Sequence, residues 1–169
     1  SNKLYTLVLD LDETLIHFKI NPNDETSGRL QFRPYLDEFL RTVKKYYELI
    51  VFTAATQDYA DPIINAIEDK GTKFDYRLYR IHTVIIDNDF VKDLSRLGRD
   101  LSRTIIVDNM EQNYKLQKNN GICIRPFWGK DTEDTALYDL MDVLKKIVEY
   151  NIDVRNGILK FKEYIISKV

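Results

Sequence analysis

The 169-residue chain has one cysteine, one tryptophan and two histidines, and little surplus of charge: 25 Lys and Arg against 27 Asp and Glu leave a net charge of −2. A lone cysteine, Cys123, excludes an internal disulfide and a cysteine-built zinc site, and points to a reducing compartment. Without a basic surplus nothing supports binding to nucleic acid through bulk electrostatics. No apolar run reaches the roughly 18 residues of a membrane span, and no signal-peptide pattern precedes the first strand. The opening Ser1-Asn2-Lys3 enters a strand almost at once and reads as the start of an excised domain.

Apolar residues make up 44% of the chain and aromatic ones 12%. A chain of this length can then bury about two-thirds of its unfolded surface, which argues against intrinsic disorder. At roughly 150 residues per domain, residues 1–169 read as one domain with no linker.

Short runs rich in branched residues predict buried strands at Leu4 to Leu9, Leu49 to Phe52 and Thr104 to Val107, with weaker ones at Gly121 to Ile124 and Tyr76 to Tyr79. Between them, apolar residues spaced by three and four predict helices. Pro34 to Tyr47 aligns Leu36, Phe39, Leu40 and Val43, with Pro34 suited to a first turn. Thr56 to Lys70 aligns Ile63, Ile64 and Ile67 and ends at Gly71, with Pro62 tolerable only near its start. A third helix runs from about Thr135 to Tyr150, and a fourth follows Gly157, packing Leu159, Phe161, Tyr164 and Ile165 on the body. Strands alternating with helices imply an α/β fold whose parallel sheet is covered on both faces. The polar segment Asn21 to Gly28 predicts an exposed loop, and Cys123, between Ile122 and Ile124, a small core residue.

The chemistry gathers at strand ends. In Leu7-Val8-Leu9-Asp10-Leu11-Asp12-Glu13-Thr14 a buried strand runs into two carboxylates, and alternation puts Asp10 and Asp12 on the side of Val8. In an open parallel sheet, ligands bind at the carboxyl edge. Two carboxylates packed there cost several kcal/mol unless a cation neutralises them, and a hard ion such as Mg²⁺, which takes oxygen ligands, fits. The same Asp-x-Asp spacing at Asp87-Asn88-Asp89 has a turn pair at its centre and reads as a hairpin tip. Phe52-Thr53-Ala54-Ala55 offers a hydroxyl and small residues before a helix, as in a phosphate cradle, although Thr53 or Thr56 can equally serve as a helix cap. Val107-Asp108-Asn109 repeats the strand-end pattern with a carboxylate and an amide.

Asp10-Leu11-Asp12-Glu13-Thr14 resembles the Asp-x-Asp-x-Thr nucleophile motif of haloacid-dehalogenase-type phosphatases. The finer likeness is to the FCP/SCP group, the NLI-interacting-factor-like and Dullard-like phosphatases, some of which act on the RNA polymerase II C-terminal domain. It is carried by Leu9 to His17, Arg33-Pro34 with Leu36 to Leu40, Phe52-Thr53-Ala54, Tyr59-Ala60-Asp61-Pro62, Val91 to Leu101 and Val107-Asp108-Asn109. The resemblance implies a Rossmann-like three-layer fold: a central parallel sheet, helices on both faces, small hairpin insertions and no large cap. It implies Asp10 as nucleophile, forming an aspartyl-phosphate, and Asp12 as general acid and then base. Thr53, Ala54 and Lys92 would bind the phosphoryl group, and Asp10, Asp12 through its backbone carbonyl, Asp108 and Asn109 would hold Mg²⁺.

The activity so implied is that of a Mg²⁺-dependent protein Ser/Thr phosphatase, with an RNA polymerase II C-terminal-domain-like phosphopeptide as candidate substrate. The stretch Leu15 to Phe32 is shorter than the insertion usual in polymerase-directed members, which separates the chemistry from the choice of substrate. A phosphoprotein partner, no nucleic acid, a monomer, and nuclear or cytoplasmic residence complete the expectation. Two alternatives are a catalytically silent peptide-binding module resembling a mitochondrial import subunit, and a small-metabolite phosphatase. His17 reads as a packing or loop-anchoring residue, His82 as surface, and Trp128 as an aromatic plug over the sheet end.

Overall fold

A computed structural model of the protein describes residues 5–169, so the expected strand start at Leu4 lies outside the described residues. In chain order the elements are β1 (Tyr5–Leu9), β2 (Ile16–Asn21), β3 (Asp24–Phe32), α1 (Leu36–Val43), β4 (Tyr47–Phe52), α2 (Gln57–Glu68) and β5 (Tyr76–Leu78). Then come β6 (Val84–Ile86), β7 (Asp89–Val91), β8 (Thr104–Asp108), β9 (Gly121–Cys123), α3 (Ala136–Tyr150), α4 (Val154–Lys160) and α5 (Lys162–Lys168).

Five strands form a parallel sheet in the order β5-β4-β1-β8-β9. Every residue of β1, β4 and β8 is buried, so these strands read as unbroken apolar runs rather than alternating ones. The chain leaves β1 toward β4 and β5, then returns to the other side of β1 through β8 and β9. That reversal leaves a crevice between the carboxyl ends of β1 and β8, the place where such sheets bind ligands. In register, Leu7 lies beside Leu49 and Ile105, and Leu9 beside Val51 and Val107.

Alternation along β1 separates two cores. Leu7, Leu9 and Leu11 pack with α1, α2, α3 and the buried residues of α4 and α5. Val8 packs on the other face with Ile50, Phe52, Ile106, Leu94 and Tyr114. That second face is covered by short 3-10 turns, among them Leu94–Leu97 and Glu111–Asn120. The expected stripe Leu36, Phe39, Leu40, Val43 is buried along α1. Truncating one of these, Leu40→Ala, removes a fully packed side chain at a cost of about 2–5 kcal/mol.

Several expectations need correction. Helix α1 ends at Val43, and Tyr47 opens β4, where its hydroxyl donates to the Leu144 carbonyl at 2.8 Å. At the other end Tyr35 adopts a left-handed conformation (φ 69°), so the helix begins after it and Pro34 stays outside. Pro62 lies inside α2, which continues through it because Ile63, Ile64 and Ile67 hold the helix on the core. Asn21 to Gly28 is not a loop: Ile20 pairs with Gly28 and Asn21 with Asp24 in a β2–β3 hairpin turning at Pro22-Asn23. Exposed strands carry polar residues without being loops. Gly28 is required there, since a Cβ would lie 2.4 Å from the Phe18 ring and 2.8 Å from the Lys19 carbonyl oxygen. The other hairpin is as expected, with Asp87 (φ 52°) and Asn88 (φ 66°) forming the two-residue turn between β6 and β7.

The chain's end holds two short helices rather than one after Gly157. Gly157 is buried within α4, where a Cβ would come to 3.1 Å from Ile147, while Leu159 points outward, 66% exposed. Cys123 is exposed, because on edge strand β9 alternation buries Ile122 and turns its neighbour out. Trp128 is 59% exposed and meets the His17 ring edge-on, so it plugs nothing. His17 anchors its turn through Nδ1, 3.2 Å from Glu13, and exposed His82 accepts the Tyr79 N–H.

Candidate active site

Asp10 follows the last residue of β1, and its N–H donates to the Val107 carbonyl, extending the β1–β8 pairing by one residue. The residue is 6% exposed, and its carboxylate is clamped at both oxygens. Oδ1 accepts from Lys92 Nζ at 2.8 Å and Oδ2 from the Thr14 hydroxyl at 2.9 Å. Lys92, the residue after β7, is completely buried, and its ammonium donates also to Asp108 Oδ2 at 2.6 Å. Asp108 ends β8, and its Oδ1 accepts the Met110 N–H at 3.0 Å. An ammonium is thus shared between two carboxylates that close the neighbouring strands β1 and β8, across the crevice set up by the strand order.

Burial pushes the Asp10 carboxyl up to about 7, with Asp108 adding to the rise and Lys92 opposing it. Burial works against the Lys92 ammonium, yet attraction from Asp10 and Asp108 prevails and holds it above the usual lysine range. Two buried carboxylates against one ammonium leave an excess of negative charge, a standing demand for a further cation.

Asp12 sits half-buried in the turn beyond β1. Its Oδ1 accepts from the Tyr59 hydroxyl at 2.7 Å, and burial raises its affinity for a proton against the lowering effect of that bond. The turn is tied from behind: the N–H groups of Leu15 and Ile16 return to the Leu11 carbonyl. Arg33 Nη1 donates to the Thr14 carbonyl at 3.1 Å. Arg33 is in turn held by Asp134 through two parallel bonds of 2.9 Å, fully out of solvent.

Thr53 and Ala54 leave β4 at the same sheet edge. Thr53 Oγ1 accepts the Ala55 N–H at 3.0 Å, shaping the turn before α2, whose N-cap residue Thr56 makes no side-chain capping bond. The Ala54 carbonyl accepts from Arg80 Nε at 2.7 Å, and Arg80 stacks 4.6 Å over the Phe90 ring. Opposite, Phe18 of the β2–β3 hairpin meets the Tyr59 ring edge-on at 5.9 Å. Two hairpins therefore stand beside the site, each presenting an aromatic ring.

The oxygen set fits a hard cation. Asp10 Oδ2 bonds the Thr14 hydroxyl, which lies 3.5 Å from Asn109 Oδ1, so a carboxylate and an amide oxygen share one neighbourhood. Among the described residues no three His, Cys, Asp or Glu side chains form a ready cage.

Of the seven residues singled out in the sequence, Asp10, Lys92 and Asp108 touch, Asn109 neighbours them through Thr14, and Asp12, Thr53 and Ala54 lie at the same edge of the sheet, beyond β1 and β4. Thr14, Tyr59, Arg33 and Asp134 also hold the site, and reasoning from residue type and spacing passes them by. Thr14, Arg33 and Tyr59 lie within the motifs, but nothing local says that the Thr14 hydroxyl holds Asp10, that Arg33 finds Asp134 or that Tyr59 holds Asp12.

The family model for NLI interacting factor-like phosphatase matches residues 5–155. The chain belongs to this family. It is 41% identical over 165 residues to a "Probable C-terminal domain small phosphatase" of Dictyostelium discoideum, covering 90% of this chain and 53% of that protein. It is 40% identical over 166 residues to "Nuclear envelope morphology protein 1" of Schizosaccharomyces pombe, covering 89% and 34%. The chain spans 31–59% of the length of these and two further curated relatives that it matches. A solved fission yeast RNA polymerase II CTD phosphatase, Fcp1-R271A bound to beryllium fluoride, superposes with a TM-score of 0.61 at 20% identity, covering 96% of this chain and 56% of that one. It shares the three-layer α/β fold expected from the motifs, with its central parallel sheet.

Proposed function

We propose that this chain is a Mg²⁺-dependent protein Ser/Thr phosphatase working through an aspartyl-phosphate on Asp10. The observation that carries the reading is the clamp on Asp10. A nucleophilic carboxylate must be buried away from competing water yet kept in one orientation, and the Lys92 ammonium and the Thr14 hydroxyl together supply this.

In the first step an Asp10 oxygen attacks phosphorus, the bond from phosphorus to the serine or threonine oxygen breaks, and Asp12 gives its proton to that departing oxygen. In the second step Asp12, now a carboxylate, takes a proton from water, the water oxygen attacks phosphorus, and the bond to Asp10 breaks. Asp12 suits both duties because burial raises its affinity for a proton, which favours the acid form that the first step needs. Lys92 and the turn at Thr53-Ala54 face the charge that grows on the phosphoryl oxygens. Asp10, the Asp12 carbonyl, Asp108 and Asn109 would hold Mg²⁺, and Asp108 also holds Lys92. The ion would neutralise phosphate charge beside the nucleophile.

A polypeptide substrate is favoured by the flanking hairpins, whose aromatic rings and Arg80 stand beside the site without closing over it. No helix of the described residues is long and apolar enough to cross a membrane. Nuclear or cytoplasmic residence and a monomeric state complete the reading; the name of the fission yeast relative and the unpaired Cys123 agree with the former.

The deciding experiment is rapid-quench mass spectrometry during turnover of an aryl phosphate. An 80-Da adduct on Asp10, absent in Asp10→Asn, is the expected result. Steady hydrolysis without that adduct, or undiminished by a chelator, overturns the reading.

A further inference from the structure

Behind the ion pair stands a side chain that no motif singles out. Asn113 lies in the 3-10 segment after β8, and its Nδ2 reaches back to Asp108, 3.2 Å from Oδ1 and 3.3 Å from Oδ2. Its backbone carbonyl accepts the N–H of Lys92 at 2.7 Å. One residue thus grips the carboxylate that holds the ammonium and the main chain that bears it. The amide must face Asp108 with its nitrogen, since an ionised carboxylate only accepts.

The chemistry makes this grip consequential. A lysine has a flexible four-carbon stem, and an ammonium between two carboxylates can drift toward either. Asp108 can fix it only if Asp108 is itself fixed. The Met110 N–H holds Oδ1 alone, and without the Asn113 amide Oδ2 would have Lys92 as its one donor.

We propose that Asn113 is a positioning residue: through Asp108 and through the Lys92 main chain, it sets where the Lys92 ammonium meets the phosphoryl group. The inference rests on the phosphatase reading of the same site. It adds that the placement of the charge depends on a residue outside every recognised motif.

The test uses the full chain with Asn113→Ala, Asn113→Ser and Asn113→Asp, and reads thermal stability, the kcat and KM for an aryl phosphate, and the inhibition constant of orthovanadate. The expected result for Asn113→Ala is a loss of about tenfold to a hundredfold in kcat, as for other outer partners of charged site groups. KM should move little, vanadate should weaken in parallel, and the melting point should stay within a few degrees. Asn113→Ser, which keeps a hydroxyl donor, should recover part of the rate and replaces the alanine variant if that one does not fold. Asn113→Asp should be slowest, because a third carboxylate competes for Lys92. A residue that merely shapes its loop would instead leave the size-matched Asn113→Asp nearest to wild type, with kcat and vanadate inhibition unchanged in the others, and this overturns the proposal. If the wild type does not turn over, the phosphatase reading is what fails. Calorimetry with inorganic phosphate then decides: weaker binding by Asn113→Ala supports the grip, and equal binding overturns it.

Discussion

Arg33 and Asp134, 101 positions apart in the chain, meet in a two-pronged buried ion pair that anchors the turn carrying Asp12 and Thr14. The same Asp134 carboxylate accepts the Ala136 N–H at the start of α3. The pair therefore ties the catalytic turn to the helix layer. Removing either partner leaves a buried charge with weaker company, Arg125 Nε at 3.7 Å from Asp134 or the Thr14 carbonyl on Arg33, so the cost is at or below the about 3–5 kcal/mol of a fully orphaned charge.

Arg33→Met should therefore lower the melting temperature by several degrees, at about 2–4 °C per kcal/mol for a chain of this size. Asp134→Leu should do the same, and the double variant should lose less than the sum. Thermal denaturation of all four proteins checks this; simple additivity would show that the two side chains act separately.

For the chemical step, Asp12→Asn should slow aryl phosphate hydrolysis by at least about 10²-fold with little change in fold stability. Tyr59→Phe removes the hydroxyl that holds Asp12 Oδ1, a single hydrogen bond worth about 1 kcal/mol, so a loss of about fivefold is expected. Steady-state kinetics separates the two magnitudes.

The proton affinity of Asp10 has a signature in stability. Its folded-state value, near 7, lies above the ordinary 3.8, so the folded state binds a proton that the unfolded state has released. The stability tied to this group is complete below about pH 4 and is lost as pH rises toward and through 7. In chelator, Asp10→Asn, which stays neutral throughout, should melt at a higher temperature than wild type at pH 8 and lose that advantage at pH 4. Melting curves across this range decide it. Added Mg²⁺ should narrow the gap at pH 8 by favouring the ionised carboxylate.

At the β2–β3 hairpin, Gly28→Val should displace the Phe18 ring and strain the Lys19 carbonyl. A cost of about 1–3 kcal/mol is expected, as for overpacking elsewhere. Because the hairpin stands beside the site, turnover of a phosphopeptide should fall more than turnover of an aryl phosphate, beyond the drop common to both that passes through Tyr59 and Asp12. A uniform drop in both would show that the hairpin does not contact the peptide.

What could be read from the residues in order was local. The period-two pattern around Val8 separates two faces, and the acidic run after Leu9 announces a strand end with chemistry. The pair Asn88-Asp89 announces a hairpin tip because Asn and Asp tolerate positive φ, although the turn itself falls one residue earlier, at Asp87-Asn88. Even Cys123 follows a local rule, but the rule needs the fact that β9 is an edge strand, and that is not local. The polar β2–β3 hairpin hid because solvent-facing strands and loops share a composition. Lys92 stands out only through likeness to a family motif, since one lysine looks like another until a fold buries it.

By itself, then, the order of residues determined the strands of the parallel sheet, the helical faces and the carboxylates at the tip of β1, all matters of neighbours within a few positions. Only the folded chain decided that Lys92 would reach Asp10 across 82 positions, that Arg33 would find Asp134, and that Asn113 would brace Asp108. The reason is physical: burying a charge is unfavourable until a partner arrives, and the partner is delivered by the closing of the sheet and its layers, not by proximity along the backbone.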